Sequence, residues 1–278
     1  MLSATGGLFA LVFGFNHAET TSWLNHYTLG SFVVGALLLG AFASVQRRTR
    51  FPPLSLRVVL DRNRGGALAA MIIASSGMFG VFFFLTYYLQ TTLGFSAVMT
   101  GFAFMPMVAG TVVTAQLSNI VLLPRVGPRP LIPLGLLVAA SAMWWLTQLN
   151  LASTYSSGVF LPLIVMGLGI GLVFAPGFSV ATFGVAEHDA GVASALVNTS
   201  QQIGGSVGTA LLNTLAASAA SAYLVGRAPT SMNQALAAVH SYTTVFSDVA
   251  LIFVGGAILT AAILRSGPTR AAAPLALH

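Results

Sequence analysis

Five uncharged polar side chains, Asn198, Gln202, Ser206, Thr209 and Asn213, recur at steps of four, four, three and four inside an otherwise apolar stretch, residues 191–219. Those steps place all five on one helical face. Amides and hydroxyls in such a row can hydrogen-bond a small molecule along a water-filled cavity. They can also form a polar seam between two helices, at roughly 0.6 kcal/mol per bond. Five groups exceed what one helix contact needs, which favours the cavity, and the seam stays open as the alternative. Gln201, Gly204, Gly205 and Gly208 run alongside. Gly204 and Gly208 have the spacing that lets another helix approach closely, as do Gly167 and Gly171 in stretch 158–184. Pro176 in that stretch removes a helix hydrogen bond and predicts a bend, either a rocking point or a static kink.

Other side chains suit the same chemistry. Stretch 66–90 ends in Phe82, Phe83, Phe84, Tyr87, Tyr88 and Gln90, and stretch 97–123 carries Met105, Pro106, Met107, Thr111, Thr114 and Gln116. Aromatic and methionine side chains adapt their packing to varied hydrophobic ligands. Tyr88, Gln90, Met105 and Gln116 therefore join the polar row as candidates to line a cavity.

Enzymatic chemistry finds no set of residues. His17, His26, His188, His240 and His278 are scattered, with no partner at metal or general-base spacing within an apolar stretch. Glu187, His188 and Asp189 cluster on a hairpin that reads as a solvated loop. With no lysine, a phosphate-cradling glycine loop lacks its cation, and with no cysteine, disulfides and thiolate metal sites are excluded. No cofactor and no metal are expected. Asp248 is the one acid near a span. It is read at the outer, N-terminal end of the last helix, where a carboxylate suits the helix dipole; carrying a proton is the alternative.

The elements that must position these residues are oily. Charged residues make up 6% of the chain and hydrophobic ones 56%, with a mean hydropathy of +0.88. A soluble domain carries about 25% charged residues, so the surroundings of this chain are lipid. Eight apolar stretches, 2–16, 28–45, 66–90, 97–123, 131–149, 158–184, 191–219 and 246–265, predict an all-α integral membrane protein with eight transmembrane helices. Alternating strand patterns are missing, which excludes a membrane barrel.

The arginines give direction. Loop 46–65 carries Arg47, Arg48, Arg50, Arg57, Arg62 and Arg64; loop 123–130 carries Arg125 and Arg129; the tail carries Arg265 and Arg270. If every stretch crosses, all ten lie on one side and Arg227 alone on the other, so the arginine-rich side is cytoplasmic and the C-terminus with it. The net charge of +6 thus follows the positive-inside pattern and does not mark a nucleic-acid surface. Trp23, Tyr27, Trp144, Trp145 and Tyr155 fall near the outer interface, where aromatic rings prefer to sit. In loop 46–65, Leu56, Val59 and Leu60 oppose Arg57, Asp61 and Arg64. That pattern fits either a short interfacial helix or a plain basic linker. Met1 stands almost inside the first stretch with no basic residue ahead, so the chain is expected to begin partway through a longer membrane protein.

These strings resemble a known family. Tyr88-Leu89-Gln90-Thr91-Thr92-Leu93-Gly94-Phe95-Ser96, with Thr100-Gly101 and Met105-Pro106, is similar to the seventh-to-eighth core helix hairpin of the major facilitator superfamily, and within it to the fourteen-span drug:proton antiporter class. Arg125-Val126-Gly127-Pro128-Arg129 resembles the arginine-and-glycine loop repeated in each half, and Gly191 to Leu196 with Asn198-Thr199 and Gln201 to Gly205 resembles the eleventh core helix. Asp61-Arg62-Asn63-Arg64 resembles the link after two extra central spans.

The resemblance implies a division: residues 1–45 as the two extra central spans, the first truncated; 46–65 as a basic cytoplasmic linker; 66–265 as the C-terminal six-helix half; 266–278 as a cytoplasmic tail. It implies export of hydrophobic compounds by proton antiport and alternating access, in a bacterial plasma (inner) membrane, with the N-terminal six-helix half as the missing partner. Arg125, Gly127 and Arg129 would form a cytoplasmic gate. Two departures stand out. Pro124 occupies the place of the acid that usually precedes the loop arginine, and no span carries a central acid for proton coupling. The alternative is a transport-inactive remnant, or a membrane-embedded pairing module that needs a partner half.

Overall fold

The computed structural model describes residues 6–7, 9–11, 13–14, 17, 25–48, 61–182, 185 and 190–264. Its regular structure is helical throughout. We number the helices α1 (His26–Arg48), α2 (Arg62–Tyr87), α3 (Ala97–Ala103), α4 (Met105–Leu117), α5 (Leu123–Val126), α6 (Pro128–Leu146), α7 (Phe160–Thr182), α8 (Ala190–Leu224) and α9 (Ser231–Ile263). Wide π-type turns at Tyr88–Thr92, Ser118–Leu122 and Tyr155–Val159 extend α2 and α4 and open α7. Among the described residues six spans are long and apolar enough to cross a membrane: Arg62–Thr92, Ala97–Val126, Pro128–Leu146, Tyr155–Thr182, Ala193–Leu224 and Ser231–Ile263. α1 adds a shorter apolar helix over His26–Phe42, and Leu11 and Gly7 of the first stretch pack on its Gly35.

Local chemistry sets the ends. Asp61 caps α2 by accepting the Arg64 N–H at 3.0 Å, so Asp61 and Arg64 belong to the first span and not to an interfacial helix. The rest of that expected helix, residues 49–60, lies outside the described residues, as do His188 and the tail 266–278. At the far end of α2, Gly94 turns the chain with φ 71°, a conformation that favours glycine, and Ser96 then caps α3 by accepting the Met99 N–H. The expected single span 97–123 is divided at Phe104, because Pro106 has no N–H to continue the α3 ladder.

The last span needs correction. Stretch 246–265 was expected as the whole helix, but α9 begins at Ser231, capped by Thr230 accepting the Asn233 N–H at 3.2 Å. Asp248 is therefore the eighteenth residue of a 33-residue helix and not its N-terminal end. Its neighbour Val249 packs against Gly77 and Gly80 in the middle of the Arg62–Thr92 span, which sets the depth of Asp248 near the middle of the bundle. A centrally placed acid is thus present where the sequence reading found none.

α2 and α7 lie at the centre and touch. α8 and α9 pack on α2, α4 and α6 pack on α7, and α9 closes the ring against α6 and α8. Phe246, Phe253, Tyr88, Met71, Leu85, Leu136, Met143, Leu163 and Met166 fill the interior. Two aromatic hydroxyls pin the ends of neighbouring hairpins: Tyr88 donates to the Asn150 carbonyl and Tyr155 to the Ala103 carbonyl, both at 2.8 Å.

Candidate functional site

Two helix pairs approach closely because side chains are missing, and one of them, α2 with α8, frames the site. A Cβ on Gly204 would overlap the Ile72 carbonyl of α2, and one on Gly208 would lie 2.5 Å from the Ser76 Cβ. Ser76 Oγ donates to the Gly204 carbonyl at 2.8 Å across this contact. On the other side of the bundle, a Cβ on Gly167 would overlap the Met107 carbonyl of α4, and one on Gly171 would lie 2.6 Å from the Thr111 carbonyl. The small residues thus bring α8 onto α2 and α7 onto α4 at backbone distance.

With Gly204 turned to α2, helical periodicity turns the row Asn198, Gln202, Ser206, Thr209 and Asn213 away from that contact. Asn198 and Gln202 are exposed and the other three half-buried. Two cavities border the row. One, of about 300 Å³, is lined by Asn198, Gln202 and Ser206 with Thr199, Ile203, Val207 and Leu11. The other, of about 450 Å³, is lined by Thr209, Gln90, Phe79, Phe82, Phe83, Thr86 and Tyr87. The second lies between α2 and α8 beside the Gly204–Gly208 contact, with Phe79 packed on Gly205. Volumes of this order suit small ligands.

The structure brings together part of the expected set. Ser206 Oγ is engaged with its own helix, donating to the Gln202 carbonyl at 2.8 Å. Asn213, Gln116 and Met105 line neither cavity, although Gln116 and Met105 are exposed. Tyr88 is fully buried and hydrogen-bonded to Asn150, which makes it a packing residue and not a cavity wall. The reason is helical register: Tyr88 continues the buried stripe of Val81, Phe84 and Leu85 on the core face of α2, while Gln90 falls on the exposed side.

At the other end of the bundle, Gly127 adopts φ 75° between α5 and α6, where a Cβ would be strained, and holds Arg125 and Arg129 on either side of the corner. Both arginines are exposed. Sequence reasoning missed Phe79 and Thr86 of the larger cavity, Leu11 and Val207 of the smaller, and, away from both, the bonding of Arg62. Arg62 Nε and Nη2 donate at 2.7 Å to the carbonyls of Ile263 and Ala262, tying the start of α2 to the end of α9. The helical register of Phe79, Phe82, Phe83 and Thr86 was the available signal for the first two. Among the described residues no cluster of three metal-ligating side chains occurs.

Comparison with known proteins agrees with this architecture. The sequence profile of the Major Facilitator Superfamily matches residues 1–209. The chain is 42% identical over 265 residues to the puromycin resistance protein pur8 of Streptomyces alboniger, covering 95% of this chain and 52% of that protein. It is 33% identical over 269 residues to the cephamycin export protein CmcT of Amycolatopsis lactamdurans, covering 95% and 53% respectively. A tetracenomycin C resistance and export protein of Streptomyces glaucescens is 30% identical over 214 residues, 77% of this chain and 39% of that protein. The chain spans about half the length, or less, of these curated relatives. Its helical bundle and its sequence make it a multi-pass membrane protein that belongs to the Major Facilitator Superfamily.

Proposed function

We propose that this chain forms one wall of an exporter of hydrophobic small molecules, of the fourteen-span drug:proton antiporter class. The observation that carries the reading is the polar row on α8, flanked by two cavities and held by glycine contacts that leave its face uncovered. In alternating access the ligand sits near the membrane midplane between two bundles, each supplying a wall. Helices 66–265 would be the C-terminal wall, residues 1–45 the extra central spans, and a second six-helix bundle the opposite wall. The resistance and export roles in the names of its relatives support the direction of transport.

Asn198, Gln202, Ser206 and Thr209 would meet the ligand, with Gln90 beside Thr209. Arg125, Gly127 and Arg129 would steady a cytoplasmic gate. Protons would drive export, in the plasma membrane of a bacterium with the C-terminus inside. The test is dye export from cells expressing the complete reading frame that encodes this chain, with and without the Gln202→Leu, Ser206→Leu double change. Export should fall at least tenfold at unchanged protein level. Unchanged export would remove this helix face from the site.

A further inference from the structure

The larger cavity has a composition that points to a narrower ligand chemistry. Four of its seven lining residues, Phe79, Phe82, Phe83 and Tyr87, are aromatic, and all four come from α2. Three of the rings are held by others: Phe82 lies 4.7 Å from Phe104, and Phe83 lies 5.0 Å from Tyr87 and 5.3 Å from Phe84 in edge-to-face arrangements, while Phe79 rests on Gly205 of α8. Rings braced in this way present fixed faces and edges, which is how a further ring is best received. The remaining three lining residues, Thr86, Gln90 and Thr209, are polar and uncharged. None makes a side-chain hydrogen bond among the described residues, so two hydroxyls and an amide face the cavity with their bonding capacity unspent. No charged side chain lines the cavity.

From this juxtaposition we infer that the Phe79–Phe82–Thr209 cavity is a subsite for a flat, uncharged aromatic ring system with a carbonyl or hydroxyl on its edge. The ring lies against Phe79 and Phe82, and its polar edge meets Thr209 and Gln90. The amide of Gln90 can serve a carbonyl as donor and a hydroxyl as acceptor, and Thr209 does the same from α8. The subsite therefore bridges the two helices that the glycines hold together. This inference rests on the exporter reading for its biological meaning, but the binding it describes can be measured without transport.

The probe is 1,8-dihydroxyanthraquinone, compared with its ring-saturated analogue. Binding is measured by equilibrium dialysis to the complete reading frame in lipid nanodiscs, and export is followed separately in cells. Phe82→Leu keeps an apolar side chain of similar length but removes the flat face. It should weaken quinone binding roughly three- to tenfold, the range of an aromatic pair, and leave the saturated analogue unchanged. Because Phe82 also packs on Phe104, Gln90→Leu and Thr209→Val, neither in the core, provide the second arm. Each should weaken the quinone and spare an anthracene that lacks the polar edge. Quinone binding insensitive to both arms would overturn the subsite. Quinone that binds as described but is not exported would leave the subsite standing and count against the exporter reading instead.

Discussion

Ser76 and Gly204 are joined directly: the serine hydroxyl shares its one proton between the Gly204 carbonyl at 2.8 Å and the Ile72 carbonyl of its own helix at 2.9 Å. One side chain thus bonds the main chains of α2 and α8 at the point where they touch. Two substitutions separate the contributions. Ser76→Ala should cost only about 0.6 kcal/mol, the typical worth of an interhelical bond in a membrane protein. Gly204→Ala, whose methyl group would overlap the Ile72 carbonyl, should cost about 1–3 kcal/mol as the helices are forced apart. Unfolding of the purified protein in mixed micelles by titration with sodium dodecyl sulfate measures both. Equal costs would mean that close approach is not what holds the pair.

Arg62 bonds two carbonyls at the C-terminal end of α9 through two of its nitrogens. Arg62→Lys keeps the charge but cannot reproduce the fork. We expect faster proteolysis near residue 264 for both Arg62→Lys and Arg62→Ala, with the loss below about 1.5 kcal/mol because the pairing faces solvent. Hydrogen exchange at the last turn of α9 reads the same opening, and identical exchange in all three proteins would show the clamp to be idle.

Tyr88 was expected in the cavity wall and is found in the core. Tyr88→Phe removes its bond to Asn150 and leaves the ring. It should destabilise the protein by about 1 kcal/mol while leaving ligand affinity unchanged. A change in affinity with no change in stability would restore Tyr88 to the ligand site.

Asp248 stands near mid-depth in α9 with no side-chain hydrogen bond or ion pair among the described residues. Insertion scales charge about 2.5–3.5 kcal/mol for an aspartate at the centre of a membrane helix. Asp248→Leu should therefore raise the melting temperature in detergent. If export is abolished while the fold is retained and no stability is gained, Asp248 belongs to the transport path.

Much of the fold was legible because lipid makes the code simple: long apolar runs without charge have to be helices. The start of α9 was not, because residues 231–245 include Asn233, Gln234, His240 and Tyr242, which dilute hydropathy without weakening a helix capped by Thr230. The polar row on α8 was readable from spacing alone, as were the glycine pairs. Which of those side chains share a cavity was not readable. That depends on how the faces of α2 and α8 meet, which no spacing within one helix records, although the burial of Tyr88 could have been read from its register with Val81, Phe84 and Leu85. Arg62 was counted as one cation among six in its loop. Its partners lie about two hundred residues away, so only the folded chain shows them.

The backbone contact at Gly204 and Gly208 also limits how this half of the molecule can deform. Main chains in mutual van der Waals contact have no rotating side chains between them to act as bearings, so α2 and α8 cannot slip past one another by a fraction of a turn. They behave as a single girder, and any tilt imposed on one is delivered to the other at full amplitude. Flexing is left to the looser seams on either side of the pair.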